Sequence, residues 1–195
     1  VQRKGECVRK TRETVISVSL DLDGDGDVAI STGLPFFDHM LELMFRHALI
    51  DLNLEASGDL DVDGHHTVED TGLAIGSALS NALGDKKSIT RFGAALVPMD
   101  ECLAEVALDI SGRPYLHYAV PLEPEPLGNF DPALARDFFQ GMVNEAEVTI
   151  HVGLRSGGGV HHSLEAVFKA AGRALKEAVA LDPRVKNIPS TKGKL

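Results

Sequence analysis

The chain carries one short pattern twice. It reads His-His-Thr-Val-Glu from His65 and His-His-Ser-Leu-Glu from His161, ninety-six residues apart, and Gly76, Ala78 and Leu79 recur in register as Gly172, Ala174 and Leu175. Each copy opens an apolar run of helical period, so each predicts a helix that starts with three potential metal ligands. Two matching helix starts imply two similar halves. On a helix, residues four apart share a face while neighbours point about 100° apart, so His65 and Glu69 converge on one ion and His66 diverges. The same holds for His161 and Glu165, with His162 set aside. The spacing predicts two metal sites, each taking a His-Glu pair from one helix and the outlying His of the other. Mixed imidazole and carboxylate ligands suit Mn, Fe, Co, Ni or Zn, and the lack of thiolate argues against a closed structural zinc site. The pattern is neither His-Glu-x-x-His nor His-x-x-Glu-His, since Asp70 and Ala166 hold the final position.

The segments between these helices repeat as well. Ile16, Val18, Leu20 and Leu22 alternate with polar residues as a half-buried strand over 14–22. The turn that follows, Asp21-Leu22-Asp23-Gly24-Asp25-Gly26-Asp27, matches the start of a calcium loop. Thr32 at its twelfth position and a strand before it disfavour that reading, and a hairpin returning through 28–32 is expected instead. Pro35 to Ala48 is an amphipathic helix with Phe37, Met40, Leu41 and Met44 on one face and His39 on the other. Two short strands are expected around Ile50–Ala56 and Leu60–Val62, and the His65 helix stops at Gly84. In the second half, a strand over 102–110 that turns at 111–114 and returns through 115–120, a helix begun at Asp131-Pro132, a strand through 148–152 and the His161 helix retrace the order. The expectation is an α+β fold in which internally duplicated strand-strand-helix-sheet-helix halves, about 1–90 and 91–195, form a single domain joined near 84–100. Its two sheets pack around a helical layer.

Composition narrows the function. A net charge of -10 with pI near 5.2 disfavours nucleic acid, which is bound by neutralising phosphates with Lys and Arg. There is no apolar run of membrane length and no signal-peptide core, so the chain reads as cytoplasmic. Cys7 and Cys102 make no disulfide framework and read as buried or incidental thiols.

Taken together, these segments closely resemble the imidazoleglycerol-phosphate dehydratase family. The resemblance rests on Arg12-Glu13-Thr14, Phe-Phe-Asp-His-Met-Leu at 36–41, Gly-His-His-Thr-Val-Glu-Asp-Thr at 64–71, Arg91-Phe92-Gly93, Pro98-Met99-Asp100-Glu101, Ser-Gly-Arg-Pro at 111–114, the stretch 161–170 and Pro-Ser-Thr-Lys-Gly at 189–193, in order along almost the whole length. It implies two Mn ions per active site. One is held by His39, His66, His161 and Glu165, and the other by His65, Glu69, His162 and the residue at Asp137, where the family usually has His. Near-equal spacing to the two His pairs also sets Asp137 close to the place of His39 in the internal repeat.

The resemblance further implies dehydration of imidazoleglycerol phosphate to imidazoleacetol phosphate in histidine biosynthesis, through a metal-stabilised imidazolate and a diazafulvene-like intermediate. Glu13 is implied as the proton-transfer group. Arg91, Arg113, Lys169, Ser190 and Lys192 are implied as substrate contacts, with the tail folding over the phosphate. Trimers with ligands from different subunits at each metal, and a shell of twenty-four subunits, belong to the same implication. Two other classes compete: a non-catalytic metal-binding protein, which leaves Glu13, the arginines and the tail without a task, and a dinuclear phosphohydrolase, which needs its ions about 4 Å apart.

Overall fold

Period-two burial builds the sheets and period-3.6 burial builds the layer between them. The computed structural model describes residues 3–195, and its elements run β1 (Lys4–Lys10), β2 (Thr14–Asp21), β3 (Val28–Ser31), α1 (Pro35–Ala48), β4 (Asp51–Gly58) and α2 (His65–Leu83) in the first half. The second half repeats them as β5 (Phe92–Met99), β6 (Cys102–Asp109), β7 (Tyr115–Ala119), α3 (Leu134–Ala146), β8 (Thr149–Ser156) and α4 (Val160–Val179). The sheets have the orders β1-β2-β4-β3 and β5-β6-β8-β7, the same topology twice. The fold is α+β with duplicated halves, as the sequence predicts. Each half also gains an edge strand that the sequence reading missed: β1, and β5 within the expected join.

Three local expectations fail. Tyr115–Ala119 does not return along β6 after its turn but pairs in parallel with β8. Likewise, Val28–Ser31 does not return along β2 as a hairpin but pairs in parallel with β4 after crossing through α1, the long connection that parallel neighbours require. The acidic loop before it wraps around Asp51, whose Oδ1 accepts the backbone N–H groups of Asp25, Gly26 and Asp27 at 2.9, 3.0 and 2.9 Å. Leu60–Val62 forms a turn rather than a strand. Val62 is 68% exposed there, so the alternation has no core face to fill.

The helices meet in crossed pairs, α1 with α4 and α2 with α3. Small residues set how closely they approach. A Cβ at Gly172 on α4 would lie 2.1 Å from the Met44 carbonyl of α1, and one at Gly76 on α2 would lie 2.4 Å from the Met142 carbonyl of α3. The same device seats helix on sheet, since a Cβ at Gly5 would lie 1.9 Å from the Ala78 carbonyl and one at Gly93 would lie 2.0 Å from that of Ala174. Around these contacts the core fills with Phe37, Phe45, Phe138, Phe139 and Phe168, all fully buried. Cys7 and Cys102 are free thiols, the latter buried. No helix is long and apolar enough to cross a membrane among the described residues.

Candidate metal centres

Crossed helix pairing decides which ligands meet. Because α1 lies on α4, His39 reaches the start of the helix in the opposite half. Its Nε2 lies 2.9 Å from Glu165 Oε1, and His161 Nε2 lies 3.2 Å from the same oxygen. One ligating atom from each of the three residues falls within 4.8 Å of the others, a mixed imidazole and carboxylate donor set that fits a divalent transition metal. Lys169, one turn along α4, donates to Glu165 Oε2 at 2.7 Å and lies 3.4 Å from Met99 Sδ. Phe36 packs its ring against His161 with centroids 5.1 Å apart. Burial pushes the Glu165 carboxyl up, but hydrogen bonds from Lys169, His39 and His161 outweigh it and hold the pKa at about 2.

The α2–α3 pair forms the counterpart. His65 Nε2 lies 3.6 Å from Glu69 Oε2 and its Nδ1 lies 3.4 Å from Asp137 Oδ2. The i, i+4 geometry read from the sequence therefore forms at both helix starts, and Asp137 stands where His39 stands in the other half. Glu69 and Asp137 take opposite nitrogens of one ring, so this set is more spread than the first.

The outlying histidines join neither group. His66 Nδ1 faces Asp59, at 3.2 and 3.0 Å from its two oxygens, and His162 Nδ1 faces Glu101 at 3.3 and 3.1 Å. The hydrogen bond with Asp59 raises the pKa of His66, aided by the charges of Asp59, Glu13 and Asp63. Glu101 raises that of His162 in the same way. Glu13 is thus on the His66 side of the molecule, exposed in the β1–β2 turn that Thr11 Oγ1 closes by accepting its N–H at 3.1 Å. Sequence reasoning gave Asp59 and Glu101 no role. The internal repeat held a signal for the latter, since Glu101 begins the β5–β6 turn's exit as Glu13 does that of β1–β2, each one residue before its strand.

The expected phosphate contacts divide. Arg91, Arg113, Ser190 and Lys192 line one open cleft of about 510 Å³ together with Thr191 and Lys194. Arg91 Nε and Nη2 donate to Asp109 at 2.7 and 3.1 Å while Nη1 donates to the Pro189 carbonyl at 2.8 Å, tying the tail to the cleft. Arg113 Nη1 donates to the Ser111 carbonyl at 3.0 Å. Lys169 is not among the residues lining this cleft but stands against Glu165.

A chain with this geometry has close relatives. The imidazoleglycerol-phosphate dehydratase family profile matches residues 32–175. The chain belongs to that family. It is 53% identical over 195 residues to the imidazoleglycerol-phosphate dehydratase of Geobacter metallireducens, with all of both chains covered. Against the dehydratase of Caldanaerobacter subterraneus it is 54% identical over 191 residues, covering 98% of each. Among solved structures, imidazoleglycerol-phosphate dehydratase from Staphylococcus aureus superposes with TM-score 0.83 at 40% identity, covering 92% of this chain and 99% of that one. The enzyme from Pyrococcus furiosus, in complex with (S)-C348, superposes with TM-score 0.84 at 35% identity, covering 96% and 99%.

Proposed function

We propose that this chain dehydrates imidazoleglycerol phosphate to imidazoleacetol phosphate and water in histidine biosynthesis, as a cytoplasmic carbon-oxygen lyase that uses two Mn ions per active site. The observation that carries the reading is the pair of mixed ligand sets at repeat-equivalent helix starts, His39, His161 and Glu165 at one and His65, Glu69 and Asp137 at the other. His66 would complete the first set and His162 the second. Bound there, divalent cations supply the Lewis acidity that stabilises negative charge on the imidazole ring. The rest falls to the chain's own groups.

The hydrogen to be removed sits on a carbon beside no carbonyl, so a base alone finds no acidic proton. Glu13 is the proposed proton-transfer group. It is exposed, carried on a turn closed by hydrogen bonds to Thr11 Oγ1, and its charge acts on the His66 ring. Arg91, Arg113, Ser190 and Lys192 would grip the phosphate, the arginines by parallel hydrogen bonds. Asp109 pre-orients Arg91 for this, and its bond to Pro189 brings the tail residues to the same cleft. Lys169 would contact substrate from the ligand cluster itself.

Assembly follows from the ligands. Within one chain each three-residue set stands apart from its outlying histidine, so a partner subunit's histidine is what would complete it. Trimers, and a shell of twenty-four subunits built from them, meet that need. The deciding test adds imidazoleglycerol phosphate and Mn to the assembled protein and looks for the acetol phosphate. Product is expected; none from metal-loaded, assembled protein overturns the assignment. A Glu13→Gln variant is expected to bind metal and assemble but lose turnover, and retained activity would remove Glu13 from its role.

A further inference from the structure

The two outlying histidines share an orientation that the other ligands do not. His39 and His161 turn Nε2 toward the Glu165 carboxylate, and His65 stands between Glu69 at Nε2 and a single Asp137 oxygen at Nδ1. His66 and His162 instead turn Nδ1 toward a carboxylate from outside the helix, and each does so within reach of both oxygens. An ionised carboxylate only accepts, so the nitrogen it faces carries the proton and the lone pair of the neutral ring sits on Nε2. The two carboxylates come from unrelated places. Asp59 lies in the turn between β4 and α2, whereas Glu101 lies in the β5–β6 turn, and yet they select the same tautomer in both halves.

Glu101 is held firmly. The backbone N–H of Gly159 donates to its Oε1 at 3.1 Å, and a Cβ at Gly158 would lie 2.2 Å from its Cγ. The glycine run before α4 thus has a purpose: Gly158 leaves room for the carboxylate and Gly159 ties it down. Asp59 is framed by the turn in which its own carbonyl accepts the Val62 N–H at 2.8 Å. The neighbouring Asp63 accepts the His65 N–H at 2.8 Å and so fixes the helix start from which His66 projects.

We propose that Asp59 and Glu101 are positioning residues that lock His66 and His162 in the Nδ1–H tautomer, presenting Nε2 outward as the atom that ligates metal in an adjoining subunit's set. This rests on the two-metal reading above. A carboxylate behind a ligating imidazole fixes ring orientation and raises its basicity, and its loss commonly weakens metal binding on the order of 10–100-fold. The competing role for Glu101 is as a ligand itself, since one of its oxygens, an Asp100 oxygen and a His162 nitrogen lie within 4.8 Å of one another.

The test is a Mn titration of the assembled protein read by electron paramagnetic resonance, comparing wild type with Asp59→Ala, Asp59→Asn, Glu101→Ala and Glu101→Gln. Wild type is expected to show two bound ions per chain. Each alanine variant is expected to weaken one of them on the order of 10–100-fold and spare the other, Asp59 and Glu101 acting on different ions. The amide variants keep an oxygen that accepts Nδ1–H, so they should recover most of the affinity, with nitrogen hyperfine coupling from the same number of imidazoles. Unchanged affinity in both alanine variants overturns the proposal. So does a Glu101→Gln loss as complete as that of Glu101→Ala, which makes Glu101 a ligand. Wild type that binds no Mn overturns the metal reading itself, and is told apart because it fails before any variant is made.

Discussion

The two candidate centres stand on the same frame but differ in charge. Met44 and Met142 meet Gly172 and Gly76 through the same backbone contact, and α1 and α3 both end on a left-handed residue, Leu49 at φ 55° and Glu147 at φ 53°. On that shared frame, His39 is matched by Asp137, Phe36 by Leu134 and Lys169 by Leu73. The first centre therefore holds one carboxylate, 8% exposed and balanced by a lysine. The second holds two carboxylates, both only half-buried, with Arg136 as their nearest cation at 3.9 Å from Asp137. Duplication has kept the distances between helices while the electrostatics at their ends have diverged.

The frame is tested most severely at its glycines. Gly172→Ala and Gly76→Ala each drive a methyl into a backbone carbonyl that cannot swing away, so each should destabilise by about 3 kcal/mol. Urea midpoints measure this. Near-equal losses support equivalent frames, and a silent Gly76→Ala would show that the α2–α3 contact tolerates separation where α1–α4 does not.

Next come the carboxylates. Glu165→Ala leaves the Lys169 ammonium, largely covered, without its partner, and should cost about 2 kcal/mol. Glu69→Ala removes a half-exposed side chain with no such dependant and should stay within about 0.5 kcal/mol. Equal effects would mean that burial of Glu165 does not matter to the fold. The pairing of Glu165 also has a pH signature. The Glu165 carboxyl sits at about 2 against an ordinary 4.5, so the folded state binds the proton less readily than the unfolded one. Its stabilisation is whole above 4.5 and is lost as pH falls toward 2. In chelator-treated protein, Glu165→Gln should flatten the stability profile across that interval.

What the sequence revealed follows the same divide between local pattern and tertiary pairing. The four helices and the strands β2, β4, β6 and β8 were legible because each buries one face and alternates or turns accordingly. The edge strands divide: β3 and β7 were legible as strands but not in which strand they pair with, and β1 and β5 were not legible at all. The inward residues of β1 are Gly5, Cys7 and Arg9, too small or too polar to mark a core face, while β5 carries apolar residues on both sides, Phe92 and Leu96 outward and Val97 and Met99 inward. Leu60 and Val62 gave the opposite error, alternation without a sheet to join. The His-Glu pairs were legible because helix geometry alone brings them together. That His39 meets Glu165 and Asp137 meets His65 depends on which helices cross, which spacing does not contain. Asp59 and Glu101 escaped for a further reason: loop carboxylates have no period, and their significance lies in the nitrogen they face.

The smallest expected change is the one that would make the centres alike. Asp137→His places in the second set the residue that the first has at His39, at a half-buried site where the carboxylate lies 3.4 Å from His65. Losing that partly exposed pair should cost only roughly 0.5 kcal/mol of stability. Its informative effect is on metal preference. Replacing a hard carboxylate oxygen with imidazole moves the donor set toward nitrogen, which favours Zn and Ni relative to Mn. Competition titrations of the variant should show the second ion exchanging Mn for Zn at lower Zn concentration, with the first ion unaffected. If the preference of the second site stays fixed, Asp137 does not ligate. Its contact with His65 would then orient the ring, and the second set would be a His-Glu pair awaiting the rest of its ligands from a partner subunit.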